Sequence, residues 1–234
     1  MKRMKQSLRC ISLALSAIFC AAVLLAMPLA ARTSDGAEAQ GLVDKARVSF
    51  GEFRRDKNYT WLHQNIKNAR GILIFPQVLK AGFFLGGSGG TGVLLVKDKK
   101  SGNWSQPAFY TIGSVSFGLQ IGGEAAEVVM MVMSDKAIDS LFASSVKLGG
   151  DTSIALGPVG AGAKGNVTAD FISFAKSKGI YAGLNLESSV IAVRDKLNQA
   201  YYGKIVRPVE ISVQQKVANK GSAALRASVR KAAK

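Results

Sequence analysis

Between Gly82 and Val96 the chain reads Gly-Phe-Phe-Leu-Gly-Gly-Ser-Gly-Gly-Thr-Gly-Val-Leu-Leu-Val, two apolar runs around almost pure glycine. Gly87-Ser88-Gly89-Gly90-Thr91-Gly92 satisfies G-x-G-x-x-G. That motif cradles a pyrophosphate only where it closes a strand and opens a helix. Here Val93–Val96 runs into Lys97-Asp98-Lys99-Lys100, a strand entering a turn, and the P-loop lysine is missing. The dinucleotide reading therefore yields to a glycine-rich β-turn or bulge. With 25 glycines and only 5 prolines in 234 residues, the composition suits tight hairpins better than disorder. The length allows one domain with a real core.

Charge is distributed in a way that points to function. The formal net charge is +16. Ala81–Val190 is neutral, with eight basic and eight acidic residues. Gln40–Lys80 carries eight basic against three acidic residues, and Ile191–Lys234 ten against two. The excess sits in the flanks, which argues for an anionic partner met by flanking helices.

Lys2, Arg3, Lys5 and Arg9 precede an apolar run from Cys10 to Ala30. This is the anatomy of a secretory signal peptide, or of a membrane anchor if it is not cleaved. Both cysteines, Cys10 and Cys20, lie in that run, so a processed chain has neither a disulfide nor a cysteine nucleophile. The domains expected are residues 1–39 for export, 40–213 for a folded unit and 214–234 for a basic tail.

Gly41–Arg54 reads as an amphipathic helix, with Leu42, Val43, Ala46, Phe50 and Phe53 on one arc. Asn58 is a candidate cap for a second helix through Trp61, Leu62, Ile66 and Ala69, and Gly71 would end it. The period then changes to that of strands: Ile72–Phe75 stopped by Pro76, then Phe83–Leu85, Gly92–Val96, Phe109–Ile112, Val115–Ile121 and Ala126–Met133. Ser134 caps a short helix carrying Ile138, Leu141 and Phe142. Further elements are Thr168–Ala175, Ile180–Leu186, a helix Arg194–Tyr202 closed by Gly203, and an extended Val209–Val213. Several strands are apolar on both faces, as in a sheet covered on both sides and unlike an outer-membrane barrel. From Gln214 the tail carries Lys216, Lys220, Arg226, Arg230, Lys231 and Lys234 and no acid, with Val217, Ala224, Leu225, Val229 and Ala232 on the other side of a helical wheel. This is either a membrane-surface helix or a soluble basic tail.

No constellation for catalysis emerges. There is no G-x-S-x-G, H-E-x-x-H or D-x-D calcium loop. His63 is the only histidine and reads as a surface or half-buried helical residue, without partners for a metal. Glu124 and Glu127, three apart on a strand, face opposite sides. Basic residues interleaved with aromatic platforms, as nucleic-acid binders use, are not apparent. No enzyme, cofactor, metal site or nucleic-acid partner is expected.

Several stretches together resemble the SYLF domain family. They include Ala69-Arg70-Gly71-Ile72-Leu73-Ile74-Phe75-Pro76, Trp104-Ser105-Gln106-Pro107-Ala108-Phe109-Tyr110 and Val115-Ser116-Phe117-Gly118-Leu119-Gln120-Ile121-Gly122. In the second half come Lys147-Leu148-Gly149-Gly150-Asp151, Gly157-Pro158-Val159-Gly160-Ala161-Gly162, Ser177-Lys178-Gly179-Ile180-Tyr181-Ala182-Gly183 and Ala200-Tyr201-Tyr202-Gly203. The resemblance, from Ala69 to Gly203, implies a compact α/β domain that binds lipid, with phosphoinositides and in some eukaryotic members actin as ligands. With an export segment and no SH3 or FYVE companion in this sequence, a bacterial member is expected, and neither ligand is carried across.

The fold expected is α+β, a compact Gly-rich, mainly antiparallel curved sheet or sandwich/barrel-like core with flanking helices at both ends. The function expected is non-enzymatic binding of anionic phospholipid at membrane surfaces of the cell envelope, in the periplasm or attached to it. Headgroup contacts fall to Arg47, Arg54, Arg55, Lys57, Lys67, Arg70 and Lys80, joined from the tail by Lys216, Lys220, Arg226, Arg230 and Lys231. Phe50 and Phe53 bury either in the core or in the interface. The alternative is a structural or interaction protein of the envelope that binds a protein or a polyanion.

Overall fold

The computed structural model describes residues 35–82, 85–117, 122–177 and 186–234. Residues Asp35–Lys234 form one compact unit. Residues 1–34 of the expected export segment lie outside the described residues, whereas 35–39 belong to the first helix. Most of the strand expected at Phe83–Leu85 and nearly all of that at Ile180–Leu186 also lie outside them.

The chain enters through α1 (Asp35–Arg55), whose Ala39, Val43, Ala46, Phe50 and Phe53 recur at helical spacing and are all buried. Asp35 and Glu38 stand in its first turn and Arg54 and Arg55 in its last, each sign where the helix dipole favours it. The next cap is Asp56, not Asn58: its side chain accepts from the Asn58 N–H at 3.0 Å and opens a short 3-10 turn into α2 (Thr60–Asn65).

Among the described residues eight strands then build one sheet, β1 (Gly71–Gly82), β2 (Leu85–Val96), β3 (Ala108–Phe117), β4 (Gly122–Val132), β5 (Ser145–Lys147), β6 (Ile154–Leu156), β7 (Phe171–Ser177) and β8 (Val190–Val193). Their order is β5-β8-β3-β2-β1-β4-β7-β6, and every pairing is antiparallel except that of β6 with β7. The result is an α+β fold, a curved antiparallel sheet flanked by helices at both ends.

The glycine stretch is neither a turn nor a phosphate loop. Residues 86–92 run inside β2, in register with β1 on one side and β3 on the other. Pro76 does not stop β1. The strand passes through it at a bulge, where Phe75 and Pro76 together oppose Gly92 and the missing N–H costs no ladder bond. The bulge presses backbone onto backbone. A Cβ on Gly92 would collide with the Ile74 carbonyl oxygen, and one on Gly90 with that of Gln77.

Both faces of the sheet are apolar because both are covered. Ile72, Ile74, Leu95, Phe109, Met131 and Phe174 face α1, α2, α4 (Asp195–Tyr202) and α6 (Ala223–Ala232). Leu73, Phe75, Leu94, Tyr110, Met130 and Phe171 face α3 (Asp135–Leu141) and α5 (Pro208–Ser212). Ser134 caps α3 by accepting from the Ala137 N–H at 3.1 Å, and Gly203 closes α4 in the left-handed region with φ 69°. The segment 209–213, expected extended, is helical through Ser212. Pro208 sits at its start, and the Glu210 side chain accepts from the Arg207 N–H at 2.9 Å.

Candidate functional site

Two helices from opposite ends of the described chain lie side by side. The Gln40 side chain donates to the Gly221 carbonyl at 3.2 Å where α1 and the turn before α6 meet. Further along, Leu225 and Val229 of α6 are fully buried in the same core as Phe50 and Phe53 of α1. Both phenylalanines are thus core residues.

The outward faces of α1 and α6 enclose a groove of about 480 Å³. Gly51, Ala224, Ala227 and Ser228 line it with small side chains, while Arg47, Arg54 and Arg55 stand on α1 and Lys231 on α6. Among the described residues no acidic one lines it. Glu52, one position away, pairs with Arg55 along the helix. A neighbouring recess of about 250 Å³ shares Arg54 and Lys231 and adds His63. His63 Nε2 lies 2.8 Å from the Phe53 carbonyl oxygen, to which its N–H donates, a structural use of the ring. Such a pocket, cationic and otherwise lined by small residues and Val48, fits the oxygens of an anionic group.

The other candidate cations are dispersed. Arg70 donates to Asp135 at 3.0 Å and Lys99 joins it at 2.7 Å; these bonds hold the Asp135 carboxyl below its usual range. Arg226 donates to the Trp104 carbonyl at 3.0 Å and ties α6 to the β2–β3 connection. Lys216 pairs with Glu210 at 3.0 Å. Lys57, Lys67, Lys220 and Arg230 are exposed, and Lys80 is half-buried on β1. The structure therefore gathers Arg47, Arg54, Arg55 and Lys231 and leaves the remainder elsewhere.

A larger cleft, about 650 Å³, opens between α1 and the sheet. Asp44, Glu52 and Glu127 oppose Lys45 and Lys176 there, so it has no single sign to offer an ion. Burial pushes the Glu127 carboxyl up, with Lys176 acting against it. Among the described residues no cluster of three or more His, Cys, Asp or Glu side chains could hold a metal. None of their helices is long and apolar enough to cross a membrane. Sequence reading missed the groove's small residues. Their signal is the helical spacing of Ala224, Ala227 and Ser228 ahead of Lys231.

The family Ysc84, described as Las17-binding protein actin regulator, matches residues 113–232. The SH3 domain-containing YSC84-like protein 1 of Rattus norvegicus is 32% identical over 151 residues, 62% of this chain and 44% of that protein. An SH3 domain-containing protein of Schizosaccharomyces pombe is 38% identical over 144 residues, 58% of this chain and 33% of its own. Protein YSC84 of Saccharomyces cerevisiae is 35% identical over 146 residues, 59% and 31% respectively. The chain thus spans less than half the length of these curated relatives. No solved structure matches it.

These relatives correct part of the sequence reading. The SYLF resemblance holds as to family, but the relatives are mammalian and yeast proteins, not bacterial ones. A bacterial source, a signal peptide and a periplasmic or envelope location, anchored or not, are overturned on that ground, and with them the envelope-specific part of the function.

Proposed function

This chain belongs to the Ysc84 family, and we propose that it is a non-catalytic binding protein whose α1–α6 groove takes the headgroups of anionic phospholipid. The observation that carries this reading is the convergence of Arg47, Arg54, Arg55 and Lys231 around one groove without an acidic wall. Each such cation near an anionic leaflet contributes about 1 kcal/mol, screened over a Debye length of about 10 Å at 0.1 M salt. The flanking helices supply the charge, and the neutral sheet holds them in position.

Vesicle flotation tests it. Recovery with phosphatidylserine-containing vesicles, little with phosphatidylcholine alone, and release by high salt are expected; equal recovery with both vesicle types would overturn the reading. A protein partner is the second reading, favoured by the family's description as a Las17-binding protein. Capture of a protein that survives both detergent and high salt would favour it.

A further inference from the structure

We propose that the segment from Lys204 to Lys216 is a second membrane contact, a wedge whose Ile205 and Val213 side chains enter the acyl boundary of an anionic leaflet. It rests on the reading that the protein binds anionic membrane surfaces, but uses residues outside the groove. Ile205 is 83% exposed and Val213 56%, although both are large and apolar. Single exposed aliphatics are ordinary on protein surfaces. Here two of them stand on one segment that is pinned at both ends.

Val206, Ile211 and Val217 anchor the segment in the core, at 4%, 0% and 9% exposure. Glu210 ties it internally, accepting from the Arg207 N–H at 2.9 Å and pairing with Lys216 at 3.0 Å. The Lys216 N–H donates to the Glu210 carbonyl at 3.0 Å, and Lys204 Nζ reaches the Lys216 carbonyl at 3.2 Å, drawing the two ends together. Outward-held aliphatics are therefore built into the loop.

Charge selects the occupant. Lys204, Arg207 and Lys216 are exposed, and Glu210 is the only acid between residues 204 and 216. Exposed aliphatic side chains in a segment with an excess of exposed cations match the layered chemistry of an anionic interface, with apolar groups below and cations at headgroup level.

The test uses the full chain carrying Ile205→Trp, with anionic vesicles whose acyl chains are brominated. Trp61 and Trp104 are buried, at 6% and 3% exposure, and give a background the bromines do not reach. Quenching of the added tryptophan by these vesicles is expected. A paired variant, Ile205→Ser with Val213→Ser, keeps every charge and is expected to bind vesicles about tenfold more weakly, about 1.4 kcal/mol, with an unchanged unfolding midpoint. An unquenched tryptophan or an unchanged affinity in a chain that still floats overturns the wedge and leaves the groove standing. A blue shift on self-association without vesicles assigns the patch to a second copy and also overturns it. If the unaltered chain does not float, the reading beneath the wedge has failed.

Discussion

Gly90 and Gly92 show how one missing Cβ fixes a strand path. Both meet a β1 carbonyl at the bulge around Pro76, and Gly92 also meets the Phe75 ring. Gly92→Ala is expected to destabilise the fold by about 2–4 kcal/mol in urea unfolding, as an overpacked site that cannot relax. Gly89→Ala, in the same strand, places its Cβ 3.7 Å from the Ile112 carbonyl oxygen, an ordinary contact, and is expected to stay within about 1 kcal/mol. The tyrosines supply a pH dependence. Burial pushes the Tyr201 phenol up to about 12 from its ordinary 10.0, and raises Tyr110 and Tyr202 further. Their neutral forms are the ones the fold accommodates, so this contribution is intact below about pH 10 and is lost as pH rises toward the folded-state values. Far-UV circular dichroism against pH should show alkaline unfolding that begins in that window. Stability unchanged up to pH 12 would contradict it.

At the scale of elements, α6 is a structural helix as well as a wall of the groove. Leu225 is fully buried, so Leu225→Ala is expected to cost about 2–5 kcal/mol in chemical unfolding. It should also weaken vesicle binding although it removes no charge, because the groove needs α6 seated on α1. What was legible in the sequence was local. The apolar arc of α1, the Ser134 cap and the Gly203 stop each follow from chemistry within a few residues. Residues 86–92 misled because glycine offers no side-chain alternation from which a strand could be read. Val209–Val213 misled because branched residues favour strands, whereas Pro208 and the reach of Glu210 to Arg207 decide for a helical turn. The groove itself was half visible: its four cations were among the candidates, but the pairing of Arg54 with Lys231 is set by tertiary contact between helices far apart in sequence.

At the scale of the whole molecule, the proposed binding surface depends on where its cations stand, not on net charge. A protein of formal charge +16 would adhere to anionic vesicles to some degree wherever its cations lay. Location can be separated from charge by comparing two double variants. Arg54→Gln with Lys231→Gln removes two charges from the groove; Lys100→Gln with Lys164→Gln removes two exposed charges from elsewhere. Quantitative flotation with phosphatidylserine vesicles at fixed ionic strength is the most direct measurement. At about 1 kcal/mol per cation the groove variant should lose about 30-fold in affinity and the other far less. Equal losses in the two variants would contradict the account.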